Sequence, residues 1–172
     1  MKTILITGAS SGIGCALAKI YAENSHNLVL VARREEKLKD LKEELEKKHS
    51  ISVIIEVMDL SKKENLEILS LKYKNIDVLI NNAGLGQYGK FDSYNLETDI
   101  SMINLNILTP IILTKFFAKS MKSGSKIINI ASTAGFQPVP LMATYSATKS
   151  FIVDFTLAIQ REYSNINISL FC

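Results

Sequence analysis

This chain has little of what would mark a disulfide scaffold, a metal centre or a nucleic-acid binder. There are two cysteines in 172 residues, Cys15 and Cys172, too few for a disulfide framework. Neither has a Cys or His partner at metal-ligand spacing, so no metal site is expected. The two histidines, His26 and His49, read as solvated polar residues in a turn and at a helix end. Charge of one sign is also scarce. Twenty basic and seventeen acidic side chains leave a net charge of +3, spread along the chain. A nucleic-acid partner calls for a clustered basic patch, which is missing. The stretch Lys37 to Lys48 is dense in charge, but its acids and bases alternate as on a solvated helix face. No apolar run reaches the roughly 18 residues that span a bilayer. Met1-Lys2 leads straight into Thr3–Thr7, too short for a signal-peptide core. The expected location is therefore the cytoplasm, away from membranes. Prolines number three, and there is no linker, repeat or low-complexity segment.

What remains is an ordinary globular balance, 47% hydrophobic and 22% charged, sized for one domain. Short apolar runs alternate with longer helical patterns. Strands are predicted over Thr3–Thr7, Asn27–Ala32, Ser52–Val57, Asp77–Asn81, Lys126–Ala131 and Asn167–Phe171. Their near-continuous Ile, Val and Leu suit strands buried on both faces of a parallel sheet. Helices are predicted over Gly12–Asn24, Glu35–His49, Lys62–Tyr73, about Glu97–Lys122 and Thr144–Tyr163. Alternating β and α predicts a doubly wound α/β fold, three layers deep, with strand order 3-2-1-4-5-6.

The first predicted strand runs into Thr7-Gly8-Ala9-Ser10-Ser11-Gly12-Ile13-Gly14. Glycines at 8, 12 and 14 permit a tight turn and close approach of a pyrophosphate, which the following helix would meet with free N–H groups. Ser10 and Ser11 can add hydroxyl hydrogen bonds. The second strand ends at Val31-Ala32-Arg33-Arg34, where an NAD-binding fold commonly carries an acid for the ribose 2′-hydroxyl. Two guanidiniums there suit a 2′-phosphate instead, so NADP(H) is expected over NAD(H). The reading without a ligand is a bare βα turn followed by a charged helix.

Tyr145 and Lys149 are four apart in a helical segment and share a face. A phenol is a poor acid–base catalyst at neutral pH, but a nearby ammonium stabilises the phenolate. A phenol so tuned can give a proton to a carbonyl oxygen or take one from an alcohol. Ser132 follows the fifth predicted strand, at the edge where α/β proteins bind ligands, and can hold the substrate oxygen. Chance pairs of this spacing are frequent, so the combination carries the argument.

Taken in order, Thr7–Gly14, Asn81-Asn82-Ala83-Gly84, Asn106 in Leu105-Asn106-Ile107, Ser132, Tyr145 and Lys149 make the whole chain resemble the short-chain dehydrogenase/reductase family, with its Rossmann-like fold. The resemblance implies that Tyr145 is the acid/base, that Lys149 binds the nicotinamide ribose and tunes Tyr145, and that Ser132 orients the substrate. It also implies that Asn106 supports a water in a proton relay, with Asn104 as the rival residue. Asp59-Leu60 matches the adenine-contacting pair, and Asn82, Ala83 and Gly84 border the cofactor. Ile13 belongs to the same cofactor grip. The apolar side chains between Ile100 and Phe117 read as core; the helices around 97–122 and 144–163 often form a dimer interface in this family, so the resemblance leaves a homo-oligomer, with part of that stripe facing a second copy, as the alternative.

The resemblance further implies segments beyond the sixth strand: a Pro-Gly stretch, a mobile substrate cover, and a last helix and strand. None of these follows Cys172, so residues 1–172 are expected to be one dinucleotide-binding and catalytic domain without the usual C-terminal substrate segment. A polypeptide of this length is expected to bind cofactor poorly and to turn over substrate slowly or not at all, despite its intact catalytic positions. Two functions stay open at this point. One is an NADP-dependent oxidoreductase acting on a carbonyl or secondary alcohol; the other is a catalytically weak or inactive nucleotide-binding relative. The rim residues Leu85 to Tyr88 and Phe136 to Met142 are mostly apolar and point to an uncharged substrate.

Overall fold

A computed structural model describes residues 1–172. Six strands and six helices follow one another, alternating except where α4 and α5 both lie between β4 and β5: β1 Thr3–Thr7, α1 Gly12–Glu23, β2 Asn27–Ala32, α2 Glu35–Lys48, β3 Val53–Val57, α3 Lys63–Lys72, β4 Val78–Asn81, α4 Leu96–Ile103, α5 Thr109–Ser120, β5 Lys126–Ile130, α6 Ala143–Ile159 and β6 Asn167–Phe171. All neighbouring strands pair in parallel, in the order β3-β2-β1-β4-β5-β6. The predicted fold class and strand order hold. Alternation along β1 divides the core into two layers. Ile4 and Ile6 pack with Ala18 and Ala22 of α1 and Leu38, Leu41 and Leu45 of α2. Leu5 faces the other way, toward Leu66 and Leu69 of α3 and Leu113 and Phe117 of α5. The strand order reverses between β1 and β4, which opens a crevice at the carboxyl ends of these strands.

Most element ends fall within one or two residues of prediction; α6 stops at Ile159 rather than Tyr163. Arg161 and Glu162 donate to the carbonyls three residues back. That tight turn sends the chain back so that Ile166 and Ile168 enter the core.

The helix predicted from Glu97 to Lys122 needs a correction. It begins at Leu96, capped by Asn95, whose Oδ1 accepts from the Thr98 N–H at 3.0 Å. It then widens into a π-helical turn over Asn104–Leu108 before resuming as α5. Pro110 supplies the reason. It has no N–H to give the Asn106 carbonyl, and its ring crowds the turn before it. The Thr109 N–H reaches back five residues to the Asn104 carbonyl instead. The Thr109 hydroxyl bonds the Leu60 carbonyl at 2.6 Å, fixing the widened turn against the loop after β3. By length and composition alone, Leu96–Ser120 is long and apolar enough to cross a membrane. Here its apolar side chains Met102, Leu113 and Phe117 are fully buried in the protein.

Thr7 ties the central strands together. Its hydroxyl donates to the Ile80 carbonyl and accepts from the N–H groups of Asn82 and Ala83, at 2.9–3.1 Å. Behind it, Gly14 has no room for a side chain: a Cβ there would lie 2.5 Å from the Gly8 carbonyl oxygen and 2.5 Å from Asn82 Nδ2. Gly14→Ala is therefore expected to destabilise the fold by about 1–3 kcal/mol through overpacking against backbone. Urea unfolding midpoints of the two proteins check this, and an unchanged midpoint would contradict it.

Candidate active site

Two cavities lie at the carboxyl ends of the strands. The first, of about 380 Å³, is lined by the glycine turn on one side and by Arg33, Arg34, Met58, Asp59 and Leu60 on the other. The second, of about 690 Å³, contains Ser132, Tyr145 and Lys149. Ile13, Asn82 and Gly84 line both, so the cavities adjoin.

The first cavity has the features of an anion cradle. Gly8 and Gly12 hold φ of 68° and 54°, left-handed values that suit glycine. A Cβ at Gly8 would press on the Ala83 Cα at 2.8 Å, whereas one at Gly12 meets nothing within 4 Å and faces open space. Helix α1 starts at Gly12 with no side-chain cap and no acid in its first turn, which leaves its N–H groups free for a ligand. Asn82 Nδ2 donates to the carbonyls of Thr7 and Gly8, holding the turn's shape. These features fit a dinucleotide pyrophosphate.

The far wall carries the charge. None of the seven ion pairs in the structure involves Arg33 or Arg34. Arg34 folds onto the glycine turn, donating to the hydroxyls of Ser10 and Ser11. Arg33 stays exposed at the cavity edge. Partial burial acts to raise the Asp59 carboxyl's pKa. Hydrogen bonds from the Ser61 hydroxyl and N–H, with the charges of Arg33 and Lys62, outweigh it and hold the group below its ordinary value.

In the second cavity, Tyr145 and Lys149 come from α6, while Ser132 caps the short 3-10 turn Thr133–Gly135 after β5, its hydroxyl accepting from the Ala134 N–H at 3.2 Å. Lys149 is buried, and its ammonium donates to the Ile130 carbonyl at 2.9 Å and lies 5.9 Å from the centre of the Tyr145 ring. Burial lowers its pKa to about 8. The Tyr145 ring lies over Gly86, where a Cβ would sit 3.2 Å from a ring carbon. Ser132, Tyr145 and Lys149 therefore line one cavity.

Asn106, buried in the π-helical turn, makes a reciprocal pair with Leu85: its Oδ1 accepts from the N–H and its Nδ2 donates to the carbonyl, both at 2.8 Å. The same Nδ2 donates to the Thr148 hydroxyl, which in turn donates to the Tyr145 carbonyl. The rival Asn104 sends its carbonyl to Thr109. The sequence reading overlooked Thr148, Met58 and Leu105. Thr148 had a signal, three residues after Tyr145 on the same helix. Met58 and Leu105 are apolar residues beside expected ones and had none.

A crevice at the strand-order reversal, with an anion cradle at one end and a Ser–Tyr–Lys group at the other, defines a doubly wound α/β protein built around an elongated ligand. A family model described as short chain dehydrogenase matches residues 2–172, and the chain belongs to that family. It is similar to an NADP-dependent 3-hydroxy acid dehydrogenase of Schizosaccharomyces pombe, 36% identical over 98% of this chain and 68% of the relative. An uncharacterized oxidoreductase of the same yeast is 31% identical, over 98% of this chain and 58% of its own length. The chain thus spans little more than half of some relatives. Among solved structures, the bulky-bulky ketone specific alcohol dehydrogenase of Comamonas testosteroni superposes with a TM-score of 0.92 at 31% identity, covering 99% of this chain and 71% of that one. A short-chain dehydrogenase of Sphingobium yanoikuyae in complex with NADPH gives a TM-score of 0.92 at 32% identity, over 99% and 70% of the two chains.

Proposed function

We propose that this chain is the dinucleotide-binding and catalytic domain of an NADP(H)-dependent oxidoreductase acting on a carbonyl or secondary alcohol in the cytoplasm. The observation that carries the reading is that the Ser132, Tyr145 and Lys149 cavity adjoins the glycine-turn cavity, sharing Ile13, Asn82 and Gly84 with it. The bound nicotinamide would supply or accept the hydride. Gly8 to Gly14 and the start of α1 receive the pyrophosphate, Arg33 and Arg34 the 2′-phosphate, and Asp59 and Leu60 the adenine. Asn82, Ala83 and Gly84 form the floor between the two ends.

Around the reacting oxygen, Ser132 orients the substrate and the Tyr145 hydroxyl delivers or takes the proton. The Lys149 charge stabilises the phenolate left behind and binds the nicotinamide ribose. The Asn106 amide is committed to Leu85 and Thr148, so the water of a proton relay rests on the Asn106 main-chain carbonyl, from which Pro110 withholds the α-helical donor. The same reading gives the chain a second copy as partner. Exposed Ile100, Ile103 and Phe116 along the α4–α5 stretch and Leu157 of α6 offer the apolar surface for it.

Titration with NADPH and NADH, followed by turnover of a small ketone, tests the reading. NADPH is expected to bind more tightly. Arg33→Ala is expected to cost NADPH about 1–3 kcal/mol, the worth of a charge-assisted bond, and NADH little. Equal affinity for both cofactors in the unmodified protein would sink the NADP assignment, and no reduction of any ketone would sink the enzyme assignment.

A further inference from the structure

The segment that carries Ser132 is fastened to α6 at both ends. Before Ser132, the Ile130 carbonyl accepts from the Lys149 ammonium at 2.9 Å. After it, the Gly135 carbonyl accepts from the Ser150 hydroxyl at 2.8 Å. Lys149 and Ser150 are consecutive, so one point on the helix holds both ends. Between them the turn is fixed internally. The Gly135 N–H donates to the Ser132 carbonyl at 2.8 Å, and the Ala134 N–H donates to the Ser132 hydroxyl at 3.2 Å. Gly135 is buried against the helix itself. A Cβ there would lie 2.8 Å from the Lys149 carbonyl oxygen and 2.9 Å from its carbon, so backbone rests on backbone.

Serine inside a helix ordinarily points to solvent or donates to a carbonyl of its own helix. The hydroxyls of Ser146, Thr148 and Thr156 do the latter, bonding the carbonyls of Ala143, Tyr145 and Ile152. Ser150 instead reaches across to another segment. Pro138 gives the reason. A continuing 3-10 turn would bond the Gly135 carbonyl from residue 138, but proline has no N–H. Ser150 supplies the donor that Pro138 withholds. The bond fixes the turn bearing Ser132 against the helix bearing Tyr145. Both hydroxyls must meet one substrate oxygen, and a displacement of about 1 Å can cost about 10²-fold in rate.

We propose that Ser150 is a positioning residue: through the Gly135 carbonyl it holds the Ser132 hydroxyl in register with Tyr145. This rests on the oxidoreductase reading above.

The test follows single-turnover reduction of a small ketone by NADPH. Ser150→Ala is compared with the unmodified protein, and the same substitution is made in a Ser132→Ala background. Alone, it is expected to lower the rate about fivefold, as for one lost hydrogen bond, with NADPH affinity and the pH dependence of the rate unchanged. In the Ser132→Ala background it is expected to change the rate by less than about twofold, because the group it positions is gone. A fall of equal size in both backgrounds would mean that Ser150 only supports the packing of α6, and overturns the proposal; so does an unchanged rate in the single variant. A shifted pH dependence would mean that the loss acts through the neighbouring Lys149, and also overturns it. If the unmodified protein reduces no ketone, the oxidoreductase reading fails on its own account. The clamp is then read from amide hydrogen exchange. Ser150→Ala is expected to speed exchange at Ala134 and Gly135 by about tenfold while the β5 amides keep their rates. Unchanged rates at Ala134 and Gly135, or a rise shared by β5, overturn it.

Discussion

Replacing Tyr145 with Phe is expected to lower kcat for ketone reduction by about 10²–10⁴-fold, the range a positioned acid–base group supplies. Affinity for NADPH should change little. The substitution removes one oxygen and leaves the ring, which packs over Gly86 in the lining of the larger cavity. The hydrogen bond that Tyr145 accepts from Thr148 uses its main-chain carbonyl and survives. Stability should therefore hold, and a fall in kcat can be assigned to the lost proton donor. Rapid-mixing kinetics under single-turnover conditions separate this from a slower cofactor exchange. If Tyr145→Phe keeps more than about a tenth of the unmodified rate, another group moves the proton, and the assignment of Tyr145 is wrong.

The parts of this molecule that were legible in the sequence are those where local chemistry and tertiary structure agree. Strands β1, β2 and β6 announce themselves as apolar runs flanked by turn residues, and their bounds match the structure. The glycine turn was legible because glycine takes the left-handed φ of Gly8 and Gly12 most readily and alone leaves room for the close approach at Gly14. The π-helical turn was not. Nothing in an apolar helical pattern separates a four-residue from a five-residue hydrogen bond, and Pro110 reads as a helix former's first-turn residue as readily as a ladder breaker. Arg34 shows a second limit. Its charge was legible, but its engagement with Ser10 and Ser11 depends on how α2 sits beside the glycine turn. The left-handed φ of 66° at Leu141 escaped for a similar reason: Pro140 marks a turn, yet a leucine does not signal the left-handed position it occupies.

Lys149→Met is expected to abolish turnover and stabilise the fold at once. The lysine is buried, and burial lowers its pKa from 10.5 to about 8. At neutral pH it is charged in both the folded and unfolded chain. The folded state then carries a cost of about 3 kcal/mol from the unfavourable environment of the charge. Methionine has similar length and no charge. It forfeits the hydrogen bond to the Ile130 carbonyl, worth about 1 kcal/mol, so a net gain of about 1–3 kcal/mol is expected near pH 7. The pH dependence gives the sharper test. A basic group whose folded pKa lies below its unfolded value makes stability rise with pH between the two, because the unfolded chain holds the proton longer. The unmodified protein should thus gain stability between about pH 8 and 10.5, and the variant's advantage should shrink across the same window. Tyr21 and Tyr73 act in the opposite sense: burial, joined at Tyr73 by Glu56, raises both above 10, so stability falls above that pH in both proteins. The difference between the proteins is therefore cleanest from pH 7 to 10. Denaturant unfolding at pH 7 and pH 10 measures it. A variant less stable at pH 7, or one whose advantage is the same at both pH values, would mean that the charge of Lys149 is satisfied in its pocket. Lys149 would then be held there at no cost to the fold.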